Sequence, residues 1–180
     1  VAQFKLMVGN GIPKLVERFA PEQARDQATL KEALAQFSAR YDAHKEDKTA
    51  AYPGMVDLIA RLKAAGVNMA VLTNKADPMA RPVVNAYYPG LFPTVQGALP
   101  GMPTKPDPTL LHKLMERMNA TRENTLFVGD SNVDIRTAKN GGLTGCGVLW
   151  GFRSRQELET EGADVLVQTP EELERVILGQ

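Results

Sequence analysis

Apolar positions after Pro53 switch repeatedly between two periods. Met55, Leu58, Ile59 and Leu62 recur at three- and four-residue steps, which places them on one face of a helix. Gly66 stands where a residue just past a helix end belongs. Val67 to Leu72 then has the length and composition of a strand. Asp77-Pro78 opens another helix, with Asp77 as N-cap and the proline in the first turn. Thr94 to Ala98 is a short strand, and Asp107-Pro108 opens a helix with Leu110, Leu111, Leu114, Met115 and Met118 inward. His112 falls off that stripe and is expected at the surface. Thr125 to Gly129 is an apolar run ended by glycine, and Ile135, Ala138 and the Gly141-Gly142 stop mark a short helix. Strands follow at Thr144–Trp150 and Asp164–Val167, and helix starts at Ser154–Glu157 and Thr169–Glu172 carry capping-box patterns. Alternation of this kind predicts an α/β fold, a Rossmann-like parallel sheet wrapped by helices.

The first fifty residues carry the helical period alone. Ile12, Leu15, Val16, Phe19 and Ala20 mark one helix, with Pro13 near its start. A second helix is expected from Glu22 to about Lys45, with Leu30, Leu34, Phe37 and Tyr41 as its buried stripe. Asp42 to Lys48 is a polar run suited to a solvated helix end, and His44 within it is expected to be exposed and idle. The boundary falls near residues 47–53. It divides a small α-helical cap-like part, 1–50, from an α/β core, 51–180.

Composition narrows the function classes. The 180 residues are 43% apolar and 23% charged, ordinary for a soluble globular protein. Lys plus Arg equals Asp plus Glu at 21 each, so bulk charge recruits neither nucleic acid nor an anionic membrane. Cys146 is the only cysteine, which excludes an intrachain disulfide and suits a buried small hydrophobe. A cytoplasmic location is expected, and oligomeric state is not encoded in these patterns.

Candidate chemistry gathers where strands end, because open α/β sheets bind ligands at the carboxyl ends of their strands. Asp130 and Asp134 follow the Thr125–Gly129 run, and paired acids there suit a hard cation such as magnesium. The same pattern also suits a plain helix start, with Asp130 or Ser131 as N-cap and Asp134 in the first turn. Thr73-Asn74 follows the strand ending at Leu72 and offers a hydroxyl and a backbone N–H to phosphate oxygens, or a turn cap. Lys105-Pro106 lies in the turn-rich stretch from Leu99 to Pro108, and its ammonium suits a phosphoryl oxygen or plain solvation. Arg153, Arg155 and Trp150 suit solvated arginines and a rim aromatic better than a substrate border. Hydroxyl, lysine and acid pair in that order form a set more specific than any one member. Phosphoryl transfer asks a protein for positive charge, a metal and a placed nucleophile.

The segments Val71-Leu72-Thr73-Asn74-Lys75, Lys105-Pro106-Asp107-Pro108 and Phe127-Val128-Gly129-Asp130-Ser131-Asn132-Val133-Asp134 resemble motifs two, three and four of the haloacid dehalogenase-like hydrolase superfamily. The nearest likeness is to its phosphoglycolate phosphatases, and it covers nearly the whole chain. Val8-Gly9-Asn10-Gly11 with Leu15-Val16-Glu17-Arg18 resembles the start of that group's helical cap. Tyr52-Pro53-Gly54 resembles the re-entry into the core, and Trp150-Gly151-Phe152-Arg153-Ser154 the loop after the late strand. The resemblance implies a magnesium-dependent phosphatase of small phosphate esters that works through a phosphoaspartate. By it, Thr73 hydrogen-bonds the transferring group with the Asn74 backbone assisting, and Lys105 neutralises charge. Asp130 binds Mg2+, Asp134 supports the metal and orients Lys105, and Gly9, Asn10 and Gly11 face the substrate. Metal-independent dehalogenases of the superfamily usually carry serine where this chain has Asp130, which favours phosphate esters over carbon–halogen bonds.

The superfamily's first motif, Asp-x-Asp-x-Thr, carries the nucleophile and the general acid/base, and occurs nowhere in the 180 residues. Its strand lies between the strands ending at Leu72 and Gly129, so a core without it leaves two inner edges unpaired. The sequence is therefore expected to be a piece of a longer parent, lacking a strand, a loop and a cap helix of roughly 30–45 residues. A strand supplied by another chain and a non-catalytic binding relative are the alternatives. A sugar-phosphate phosphatase or a phosphomutase shares the same motifs. A signalling receiver domain also combines acids, a hydroxyl and Lys-Pro, but there the acids come first in the chain, whereas Asp130 follows Thr73 and Lys105.

Overall fold

The computed structural model describes residues 7–9, 11–44 and 47–179 and divides into two compact units, Val1–Ala50 and Ala51–Gln180. The first unit is a helical hairpin of α1 (Ile12–Phe19) and α2 (Gln27–His44), joined through a 3-10 turn at Glu22–Ala24. Helix α2 starts later than the apolar pattern predicts, because Asp26 accepts hydrogen bonds from the amides of Ala28 and Thr29 and so fixes the first turn. Phe19 packs on Phe37 at 5.9 Å between ring centroids, and Phe37 stacks on Tyr41 at 6.1 Å. The predicted stripe of α2 is only half-buried, and no residue of that helix is fully buried. An eight-residue partner covers only part of an eighteen-residue helix. His44 is exposed as expected but not idle, since its Nδ1 lies 2.8 Å from Asp47 Oδ2. Lys45 and Glu46, at the middle of the polar run, lie outside the described residues.

The second unit alternates α3 (Met55–Ala64), β1 (Ala70–Ala76), α4 (Asp77–Tyr87), β2 (Thr94–Ala98), α5 (Thr109–Arg117), β3 (Leu126–Gly129), α6 (Asn132–Gly141), β4 (Thr144–Val148), α7 (Arg155–Thr160), β5 (Val165–Val167) and α8 (Pro170–Leu178). Every strand pairing is parallel, as the α/β expectation requires. The strands form two pieces, β1–β2 and β3–β4–β5, rather than one sheet. Among the described residues β1 and β3 each pair on one side only. Side-chain burial follows from this. Every residue of β1 is at least partly exposed, and Val128, inside β3, is 37% exposed. A strand covered on both faces and both edges would hide such a valine.

Two apolar clusters hold the unit together. Leu58, Ile59 and Leu62 of α3 pack with Cys146 and Val148 of β4, Val167 of β5 and Leu173 of α8. Burial there raises the Cys146 thiol pKa to about 11, so it behaves as the predicted small hydrophobe. Leu111 and Met115 of α5 enclose Phe127 of β3 with Ala138 and Leu143, and Leu72 packs against them. The caps predicted at Ser154 and Thr169 are present, each hydroxyl accepting the amide three residues on. Asp77 is not the N-cap. It is the first residue of α4, and its carboxylate accepts the Gly97 amide of β2 and pairs with Arg81 instead. Among the described residues no helix is long and apolar enough to cross a membrane.

Strand β4 is paired on both sides and β1 on one. Native-state hydrogen exchange is therefore expected to be slowest at the amides of Gly145 to Val148 and faster along Ala70 to Ala76. Equal protection of β1 and β4 would contradict the two-piece sheet.

Candidate active site

The end of β1 departs from regular pairing at the residues of interest. The register with β2 is continuous from Ala70 to Leu72 and resumes at Ala76, so Thr73, Asn74 and Lys75 form an irregular step within the strand. The hydrophobic pattern alone ends the strand at Leu72, four residues short of its observed end. Side-chain hydrogen bonds compete with the ladder here. Thr73 Oγ1 accepts the Lys75 amide at 3.1 Å, which leaves its own O–H free to donate elsewhere. The Asn74 side chain crosses to the Lys105 loop. Its Nδ2 donates to Lys105 O at 3.0 Å, and its Oδ1 accepts the Lys105 amide at 2.8 Å.

Lys105 in turn reaches the mouth of β3. Its Nζ donates to Asp134 Oδ1 at 2.6 Å, with the two side chains 13% and 10% exposed. The ammonium also lies 5.7 Å from the centroid of the Phe127 ring, within cation–π range. Asn140 Nδ2 holds the next carbonyl, Pro106 O, at 2.9 Å. Lys105 is therefore fixed at the main chain and at the ammonium, and is not the solvated loop lysine that the turn-rich sequence also allowed.

Asp134 both closes the start of α6 and pairs with Lys105. Ser131 is the N-cap of α6, and Asp134 closes a full capping box with it. Asp134 Oδ2 accepts Ser131 Oγ–H at 2.6 Å and the Ser131 amide at 3.1 Å, while Oδ1 takes Lys105. Both oxygens are thus engaged. Asp130 differs. Its Oδ2 accepts the Phe152 amide at 3.0 Å and its carbonyl accepts the Arg153 amide at 3.2 Å, but it has no ion pair among the described residues. Burial raises the Asp130 pKa above the ordinary aspartate value, and the Asp134 charge adds to that rise. The Phe152 amide and Lys105 oppose it more weakly. Tyr52 lies in the same field, its phenol pKa raised by burial and then by Asp130.

Each acid lies against a glycine. A Cβ at Gly129 would overlap the Asp134 side chain, and one at Gly151 would overlap Asp130. Local sequence pattern marks the acids but not this backing. The Phe127 ring, the Phe152 amide and Asn140 carry no local signal of their place here, whereas Ser131 is the N-cap that the pattern allowed. The glycines were visible next to motif residues, whereas the main-chain donors have no sequence signal at all. Arg153 is buried, not solvated, with Nε 3.4 Å from Glu157 Oε1, whereas Arg155 is exposed and pairs with Glu159. Gly9 and Gly11 belong to the first unit, and Asn10 lies outside the described residues.

The donor set suits a hard cation only in part. Asp130 is a carboxylate carrying one bond from another residue, beside a second carboxylate whose charge Lys105 already balances. No group of three His, Cys, Asp or Glu side chains converges among the described residues. These residues could supply one anionic ligand and a supporting second acid, not a complete shell.

Residues 2–148 match the family model for haloacid dehalogenase-like hydrolases. A phosphoglycolate phosphatase of Pseudomonas putida is 32% identical over 165 residues, covering 89% of this chain and 60% of that protein. One from Pseudomonas syringae pv. tomato is 32% identical over 178 residues, covering 96% and 64%. The chain therefore spans under two thirds of the length of these curated relatives. A crystal structure from Lactobacillus delbrueckii subsp. bulgaricus, provisionally described as a phosphoglycolate phosphatase, superposes with a TM-score of 0.91 at 30% identity, covering 99% of this chain and 83% of that one. With these likenesses running through the Thr73, Lys105 and Asp130 segments, the chain belongs to the haloacid dehalogenase-like hydrolase family.

Proposed function

We propose that this chain forms the phosphoryl-binding half of a magnesium-dependent phosphatase of small phosphorylated metabolites, with 2-phosphoglycolate as the leading substrate. The observation that carries the proposal is the convergence on Lys105, which joins Asn74 at the end of β1 to Asp134 at the mouth of β3. Kinship to proteins named phosphoglycolate phosphatase supports the substrate class. Thr73 would donate its hydroxyl to a phosphoryl oxygen. Lys105 would meet the developing negative charge with its ammonium while Asp134 holds it in place. Asp130 would be the metal ligand, with Asp134 as support. When bound, Mg2+ would supply further positive charge at the phosphoryl oxygens. The substrate-facing role of Gly9, Asn10 and Gly11, and a cap function for residues 1–50, belong to the same proposal and rest on family resemblance.

The nucleophile is the open part. No Asp-x-Asp-x-Thr occurs in the 180 residues, so a phosphoaspartate cannot form on that motif within them. Electrostatic stabilisation without a nucleophile leaves a reaction that is among the slowest known uncatalysed. The singly paired edges of β1 and β3 are consistent with a further strand between them. A substrate panel run with magnesium, on the 180 residues and on the full product of the encoding gene, tests both points. The 180 residues are expected to give no turnover. A gene product carrying the motif is expected to prefer 2-phosphoglycolate and to lose most activity on Asp130→Asn. Robust magnesium-dependent turnover by the 180 residues, or a gene product indifferent to Asp130→Asn, would overturn the proposal.

Asp130 also gives a stability signature. Its folded pKa lies above the ordinary value of 3.8, so between the two values the folded state binds more protons than the unfolded state. Stability contributed by this group therefore falls as pH rises through that window, and the charged form is a cost at neutral pH. Asp130→Asn keeps an acceptor for the Phe152 amide and removes the charge. In metal-free buffer it is expected to raise the unfolding midpoint at pH 7 relative to wild type, with the gain vanishing below about pH 3.8. A lowered midpoint at pH 7 would contradict it.

A further inference from the structure

Asn74 makes a contact that its position beside Thr73 does not announce. An amide side chain carries the same donor and acceptor as a peptide group. Here the oxygen and one N–H of the Asn74 amide meet the two main-chain groups of a single residue. Asn74 Oδ1 accepts the Lys105 N–H at 2.8 Å and Asn74 Nδ2 donates to the Lys105 C=O at 3.0 Å. Only one orientation of the amide satisfies both partners, so the polarity of the Lys105 peptide groups settles it. The pair acts like a strand rung between the irregular end of β1 and a loop that belongs to no strand.

The remaining anchors of Lys105 all come from the other piece of the sheet and its helix. Phe127 is in β3, and Asp134 and Asn140 are in α6. A lysine ammonium sits on a flexible four-carbon stem, so its position is defined only when both ends of the residue are held. Asp134 and Phe127 hold the ammonium end. Asn74 holds the main-chain end, and it alone of these four residues lies on β1. We propose that Asn74 is a positioning residue for Lys105: its side-chain amide, paired with both main-chain groups of Lys105, sets where the ammonium is presented. The link to phosphoryl chemistry rests on the function proposed above, while the coupling of Asn74 to Lys105 does not.

The test is nuclear magnetic resonance of the lysine ammonium groups in the full chain, with inorganic phosphate as the probe. In the wild type, Lys105 is expected to give a slowly exchanging ammonium signal that shifts as phosphate is added. Asn74→Ala removes two hydrogen bonds and is expected to speed Lys105 ammonium exchange and weaken phosphate binding by about tenfold each. Amide protection in β4 and β5 should stay at the wild-type level. Thr73→Ala should weaken phosphate binding and leave the ammonium exchange unchanged. Asn74→Asp keeps the acceptor for the Lys105 N–H and loses the donor, so it should fall between wild type and Asn74→Ala. Lys105 exchange within about twofold of wild type in Asn74→Ala would overturn the proposal. Loss of β4 and β5 protection in both Asn74 variants would also overturn it, because Asn74 would then be structural. A wild-type Lys105 signal indifferent to phosphate would sink the function proposed above, and the exchange comparison would still decide the role of Asn74.

Discussion

The ion pair between Lys105 and Asp134 is the constraint on which the site depends. Its 2.6 Å separation and low exposure mean that neither charge is left to water. A buried pair is worth having only when the rest of each group is satisfied, since desolvation otherwise outweighs the attraction. Here the second oxygen of Asp134 is taken by Ser131, and the Lys105 ammonium rests over the Phe127 ring. The ring is itself locked among Leu111, Met115, Ala138 and Leu143. Core packing thus fixes where a cation stands, and the helix cap fixes where its counter-ion stands.

That arrangement leaves Asp130 without a paired cation among the described residues. Two acids share one lysine, and Asp134 holds it. Asp130 keeps its burial and a neighbouring like charge, and the single amide from Phe152 is weak compensation. Gly151 makes the arrangement possible by letting a main chain lie against the carboxylate.

Much of this was legible in the chain. The α/β alternation, the parallel pairing and most helix starts follow from periodicity and capping residues, because those signals are local. The family was legible because three short segments keep their order. What stayed hidden is tertiary. Thr73 and Asn74 lie inside an irregular strand end, not after a strand, because their side chains compete with the ladder. Asp134 suits either the first turn of a capped helix or a ligand support, and its two oxygens allow it to close the capping box of α6 and hold Lys105 together. Arg153 looked solvated, and its burial depends on a loop whose path no local pattern encodes. The division of the sheet into two pieces reflects which strands meet in space, and hydropathy does not carry that information.

The most direct measurement of the central claim is a double-mutant cycle on Lys105→Met and Asp134→Asn, read as unfolding free energies. A built, sheltered pair predicts a coupling of about 1–3 kcal/mol, with the double variant losing less stability than the two single losses added together. Single effects that add to within about 0.5 kcal/mol would mean the two charges are independent, and would contradict the account.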